Sequence, residues 1–408
     1  MKNKLLILSS VWLEPNSSAA GIRMLQLIDF FQQEKYQITY ASTAQKSCYA
    51  EDVSKKGIKK QKIALNDPDF AFFLKKENPN MVLFDRFMVE EQFGWKVQET
   101  LPNAIRVLDT EDLHCLRKTR ELAYNKNIPF TEELLLESDI AKREIASILR
   151  CDISLIISKF EMELLVNTFQ VSQHILQYLP FLLNDAKINT AQKFKERNHF
   201  YFIGNNLHQP NVATVLLLKK IWKKIAVKLP NTQLHIYGAY PTNKIVQLHN
   251  EEERFFIKGR LNDINLLKTY RVLLAPIPFG AGLKGKFIEA MQNGTPSVTT
   301  KIGAEAMYDD LEWSGFICET DSDFIEKAIL LFQNEISWKK AQDNGKVILG
   351  NLYQKESFLK NFKNKLKIIS KDLKKHRKQN FIGQLLWYHT LKSTKYLAKW
   401  IEEKNKND

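Results

Sequence analysis

Cysteine is scarce: the four in 408 residues (Cys48, Cys115, Cys151, Cys318) lie far apart, with no Cys-x-x-Cys and no Cys/His cluster. That excludes a disulfide framework and a structural zinc site, and it fits a reducing, cytoplasmic setting. Long hydrophobic runs are also missing. No stretch approaches the about 20 apolar residues that span a bilayer. The opening MKNKLLILSSVW places two lysines before a short apolar run, but Glu14, Pro15 and Asn16 follow with no small-residue cleavage site. It reads as the buried first strand of a parallel sheet, not as a secretory signal. There is no fixed-period repeat, no low-complexity block and no Asp-x-Asp in a metal-site context, and no cofactor is expected.

What is present is positive charge, unevenly placed. The formal net charge is +14, and Lys355–Asp408 holds 15 Lys or Arg against 5 Asp or Glu. The remainder is close to neutral for its size, which argues against nucleic acid as a partner. At this length one hydrophobic core is rarely enough, so two α/β domains are expected.

Short apolar runs alternate with amphipathic stretches, the pattern of βαβ units. In the first half the strands fall at Leu5–Val11, Gln37–Ala41, Lys62–Leu65, Met81–Phe84, Ile105–Leu108 and Ile153–Ile157. Helices fall at Gly21–Gln33, Asp69–Lys76, Glu90–Thr100, Thr131–Leu149 and Lys159–Phe169. A second set follows: strands at Phe200–Gly204, Leu234–Gly238, Phe255–Gly259, Val272–Pro276 and Ser297–Thr300, and helices at Gln209–Leu229, Asn262–Tyr270 and Gly285–Asn293. The expected division is a first domain over 1–184, a polar linker over 185–199, a second domain over 200–350, a return helix over 351–370 and a basic, aromatic tail over 371–408. The tail fits two roles equally: contact with an anionic membrane surface, or packing on the first domain.

Chemistry concentrates in Ala275–Met307. A strand ends in a loop with Gly280, Gly282 and Gly285, which enters a helix; glycines admit close backbone approach and a helix start favours a phosphate. Lys284 and Lys286 add two charges there, and Glu289 lies one turn on, placed to accept hydrogen bonds from ribose hydroxyls. Glu289-Ala290-Met291-Gln292-Asn293-Gly294-Thr295-Pro296-Ser297-Val298 resembles the donor-binding motif of retaining GT-B glycosyltransferases, carbohydrate-enzyme family 4. Phe202-Ile203-Gly204-Asn205 with Gln209-Pro210-Asn211-Val212, Leu234–Gly238, and Lys258-Gly259-Arg260-Leu261 resemble further pieces of that family in the same order. The likeness is strong over about 200–320 and looser before it.

The resemblance implies two Rossmann-like domains facing a cleft and a helical return with a tail. It implies transfer from a UDP- or GDP-sugar to a glycan or lipid-linked acceptor, retaining and metal-independent, in cell-envelope polysaccharide or lipopolysaccharide assembly at the inner face of the plasma membrane. Gly204, Asn205, Arg260, Gly282, Leu283, Gly285 and Glu289 would hold the donor, with Lys284 and Lys286 stabilising the leaving diphosphate. Asp109-Thr110-Glu111-Asp112-Leu113-His114 resembles the family's D-x-x-D-x-H stretch, which assigns His114 to the sugar or acceptor as a catalytic residue and Asp112 to the acceptor or phosphate side. The loop Ser9–Arg23, with Ala20, Gly21 and Arg23, would meet acceptor or phosphate. The family's first glutamate falls on Ala281, so a catalytically silent nucleotide-sugar binding subunit is the rival reading.

Overall fold

In the computed structural model, residues 3–45, 47–184 and 193–404 are described. The first domain is a seven-stranded sheet: β1 Lys4–Ser9, β2 Gln37–Ser42, β3 Lys59–Lys62, β4 Met81–Asp85, β5 Ile105–Asp109, β6 Ile153–Ile156 and β7 Leu176–Tyr178, in the order β3-β2-β1-β4-β5-β6-β7. All pairings are parallel, with Leu5 opposite Ile38 and Asp85 opposite Asp109. The central strands are apolar on both faces because helices cover both. Leu6, Leu8, Val82, Phe84 and Leu108 enter one core, and their neighbours Leu5, Ile7, Met81, Leu83 and Val107 enter the other, as a pleat of period two requires.

The second domain repeats the plan with β8 Asn198–Ile203, β9 Leu234–Tyr237, β10 Phe255–Gly259, β11 Tyr270–Ala275, β12 Ser297–Thr300 and β13 Gly315–Cys318, in the order β10-β9-β8-β11-β12-β13. Its core centres on Phe200, Phe202, Trp222, Leu273 and Trp338. The helix Glu335–Leu352 belongs to this core, whereas the next, Lys355–Lys371, inserts Phe362, Leu366 and Ile369 into the first domain. The chain therefore crosses between domains twice. The two crossings lie side by side, Leu183 N donating to Tyr353 O at 2.9 Å and Lys355 N to Leu183 O at 3.2 Å.

Several elements differ from expectation. The strand expected at Lys62–Leu65 is Lys59–Lys62, an edge strand of four polar residues with no alternation to mark it. Asn262–Tyr270 is not an α-helix: a short 3₁₀ helix occupies Ile264–Thr269, and Tyr270 begins β11. The helix expected over Thr131–Leu149 breaks at Ser138 into Glu132–Glu137 and Asp139–Arg150. Residues 185–192 of the expected linker lie outside the described residues, and β8 starts at Asn198.

The tail forms two helices, Leu373–Lys378 and Phe381–Lys404. The longer one packs on the first domain: Trp387 Nε1 donates to Arg150 O at 2.9 Å, Lys395 pairs with Glu99, and Ala398 is buried. Among the described residues no helix is long and apolar enough to cross a membrane.

Candidate active site

Parallel strands deliver their carboxyl ends to one edge, and here the two edges face each other. After β11 the chain runs through Gly280–Lys284 into the helix Gly285–Gln292, and this loop is clamped against the first domain. Gly282 has φ +62°, the left-handed region that suits glycine, and a Cβ there would lie 2.8 Å from Asp112 Cβ. Its N–H donates to Glu161 Oε1 at 2.8 Å, an oxygen that also accepts from Leu113 N at 2.9 Å. A Cβ on Gly285 would come within 2.7 Å of Ala19 Cβ, at the start of the helix Ala19–Gln33. Leu283 is buried in the second domain's core, and Ala281 is buried in the first domain's.

Two lysines follow. Lys284 Nζ donates to Gly282 O at 2.9 Å, and Lys286 Nζ donates to Asn211 Oδ1 at 2.9 Å. Burial pulls both amines down to about 8, against the opposing pull of Glu305 on Lys284 and of Glu289 on Lys286. Burial pushes the Glu289 carboxyl up to about 7, with Lys286 working the other way. These are charges kept in a dry place, poised for a ligand of opposite sign.

On the facing wall Asp112 takes Arg117 through two bonds, Nε at 2.7 Å and Nη2 at 3.3 Å. Burial opposes its charge, but Arg117 and His114 hold its carboxyl below the usual range. His114 opens the helix His114–Lys126; its Nδ1 lies 3.2 Å from Asp112 O and 3.6 Å from Glu144 Oε1, and its ring meets Phe87 edge-on at 5.5 Å. The imidazole of His208 is pushed down to about 3 by burial first and then by Arg117, with Asp112, Lys286 and His114 also acting on it. One small volume thus gathers groups from both domains.

Further contacts close the cleft. Arg120 donates to Gly280 O at 2.8 Å and forks onto Glu305 at 2.7 and 2.8 Å. Tyr240 OH donates to Glu14, Asn205 Nδ2 reaches Ser17 O at 3.3 Å, and Arg260 lies over the Tyr49 ring at 4.6 Å. Gly204 faces Asn211, whose side chain leaves no room for a Cβ.

Three expected residues have structural surroundings. Arg23 is 1% exposed and its donors are engaged by Asp109 at 2.8 Å and Leu179 O at 2.6 Å, so it does not present a cation to phosphate. Gly21 serves close packing, since a Cβ would lie 2.3 Å from Glu14 O, and Ala20 stands beside it in the first turn.

Other residues come into view only with the sheet. Asp85 ends β4 beside Asp109, Arg86 follows it, and Glu111 follows β5. Arg86 has φ 73° and ψ 155°, a region nearly reserved for glycine, and Glu111 has φ 64°. Asp85 Oδ1 and Glu111 Oε1 have no hydrogen-bond partner among the described residues. Burial first, and then Asp109, push the Glu111 carboxyl well up. Only the shared position of Asp85 and Asp109 after apolar strand runs could have signalled this group.

Residues 197–334 match the family model Glycosyl transferases group 1. The match covers the second domain from β8 to the helix that follows β13. The sequence matches none of the curated proteins. Among solved structures the whole chain resembles S. aureus TarM, solved with UDP and alpha-GlcNAc-glycerol, at TM-score 0.69 and 12% identity over 90% of this chain and 99% of that one. It resembles Anabaena HepE in complex with UDP at 0.64 and 11%, over 89% and 99%. It also resembles WaaG, a glycosyltransferase involved in lipopolysaccharide biosynthesis, at 0.60 and 12%, over 87% and 98%. The fold is that of the two-domain GT-B glycosyltransferases.

Proposed function

We propose that this protein transfers a sugar, with retention and without a required metal, from a UDP- or GDP-sugar to a glycan or lipid-linked acceptor in cell-envelope polysaccharide assembly. The observation that carries the reading is the Gly280–Glu289 segment: a glycine loop, the buried Lys284, the half-buried Lys286 and a helix start, all facing Asp112 and His114 across a closed cleft. The donor's diphosphate would take Lys284 and Lys286 from their present carbonyl and amide partners. As the glycosidic bond to phosphate lengthens, negative charge grows on the leaving oxygen, and both ammonium groups and the amides at Gly285 stabilise it. Glu289 would accept from the ribose hydroxyls, and Gly204, Asn205 and Arg260 would line the nucleotide side. His114 and Asp112 would contact the transferred sugar, and Asp85, Arg86 and Glu111 would receive the acceptor. The basic tail would hold the enzyme peripherally on the cytoplasmic membrane face.

Thermal-shift screening against UDP- and GDP-sugars, followed by donor turnover with and without added acceptor glycan, tests this. Stabilisation by one nucleotide-sugar and release of its nucleotide are expected. The burial of Ala281 in the first domain favours one rival, a donor-binding subunit that lacks turnover. Binding without any release of nucleotide would select it.

A further inference from the structure

The helix Phe381–Lys404 has one face against the first domain and one face bare. Gly383 abuts Leu149 O, Trp387 bonds Arg150 O, and Ala398 is buried. On the other side Phe381, Ile382, Leu385, Tyr388, Tyr396 and Trp400 are 45–70% exposed. Their spacing places them on one stripe of the helix. Lys399 lies within the stripe, and exposed Lys374, Lys375 and Lys378 precede it.

Beside the stripe lies a cavity of about 340 Å³ between the tail and the first domain, with Tyr388 in its lining. Its charged lining is three guanidinium groups, from Arg106, Arg150 and Arg377, against one carboxylate, from Asp152, with the His376 imidazole alongside. Arg150 is paired with Glu90, and Arg377 is spent on Asp152 at 2.7 and 2.9 Å and on Ala104 O. Arg106 has one donor left. It is 3% exposed and lies over the Trp387 ring at 4.5 Å; its Nη1 donates to Gln98 Oε1, its Nη2 is 3.5 Å from Asp152, and its Nε has no partner among the described residues. A buried donor without an acceptor is costly, so this one points to a ligand that supplies an oxygen. That ligand is anionic, because cations outnumber carboxylates in the lining.

We propose that the stripe and the cavity form one docking site for an anionic bilayer, in which Phe381, Leu385, Tyr388 and Trp400 enter the interface while the cavity takes the phosphodiester of a phospholipid headgroup. Aromatic and aliphatic side chains of an interfacial helix bury at the headgroup boundary, and neighbouring lysines add attraction to anionic lipid. The proposal rests on the peripheral-membrane reading above and adds a specific phosphate seat to it.

The test uses the full chain with phosphatidylcholine vesicles, with and without phosphatidylglycerol, by co-sedimentation. Three variants are compared: Arg106→Gln; Gln384→Glu, which puts a negative charge at the cavity rim on an exposed side chain; and Phe381→Ser with Trp400→Ser. Thermal unfolding confirms that each is folded. Wild type is expected to prefer phosphatidylglycerol vesicles. Arg106→Gln and Gln384→Glu should each weaken that binding about fivefold, the effect of one charge near an anionic surface, and the double variant should abolish it. If both cavity variants bind like wild type while the double variant detaches, the phosphate seat is wrong and the membrane reading survives. If wild type sediments with neither vesicle, both fail. If soluble glycerophosphate stabilises wild type but not Arg106→Gln, and the vesicles bind all proteins alike, the cavity takes a free phosphate ester and the lipid assignment is overturned.

Discussion

Lys284 and Lys286 stand in the cleft with their charge opposed by burial, which holds both at about 8. A bound diphosphate favours the protonated amine and lifts both values, so at pH just above 8 donor binding should take up protons. Calorimetry in buffers of different ionisation enthalpy reads the sign directly; proton release would place the diphosphate elsewhere. By the same logic kcat/KM should fall as pH rises through about 8, because the free enzyme then loses the cations that meet the donor. Lys286→Ala should lower kcat by roughly 10²-fold, the scale of removing one transition-state donor. Glu289→Ala should instead weaken nucleotide-sugar affinity by about 1–3 kcal/mol, the cost of stranding hydrogen-bonding partners. A titration with unchanged affinity would take Glu289 out of the ribose site.

The Gly280–Lys284 loop works as a unit because the first domain grips it. Gly282→Ala combines a left-handed φ with a Cβ 2.8 Å from Asp112 Cβ. Strain of about 1–2 kcal/mol is expected from the dihedral alone, read as a lower melting temperature together with a loss of donor affinity; a variant with wild-type values for both would show that the grip is loose. Much of this scale was legible beforehand. Buried strands such as Leu5–Leu8 announce themselves as apolar runs, and the segment Ala275–Met307 carried its loop, helix and strand in order. The strand Lys59–Lys62 was not legible, since an edge strand exposed to water needs no apolar pattern. The helix His114–Lys126 was not legible either, since its side chains are mostly polar. Glu161, Arg120 and Asp85 act through partners 48, 185 and 76 positions away, a relation that only the register of the sheets and the closure of the domains supply.

The two domains are joined by polar clamps as well as by the paired crossings at Leu183 and Gln354. Arg120 spans the cleft to Glu305, with 6% and 18% of the two side chains exposed. Arg120→Ala and Glu305→Gln should each raise the donor KM, and the double variant should add little to either, a coupling of about 0.5–3 kcal/mol. Strictly additive effects in that cycle would mean the pair does not hold the closed state. The tail shows the limit of one-role thinking about a basic segment, because a single helix both covers the first domain and keeps a bare aromatic stripe.

The position of that stripe has a consequence for the acceptor. Arg106 lies near the start of β5 and Asp109 at its end, so the tail cavity and the cleft occupy opposite edges of the same sheet. A strand of this length spans roughly 17 Å, and the loops at either end add to it. An enzyme resting on its tail would hold its reaction chamber well above the lipid, facing the aqueous side. A carrier bearing only its first sugar would fall short of that height, whereas the free end of a long glycan would reach it. Extension of mature chains, with turnover rising as the glycan lengthens, is the behaviour such a stance selects.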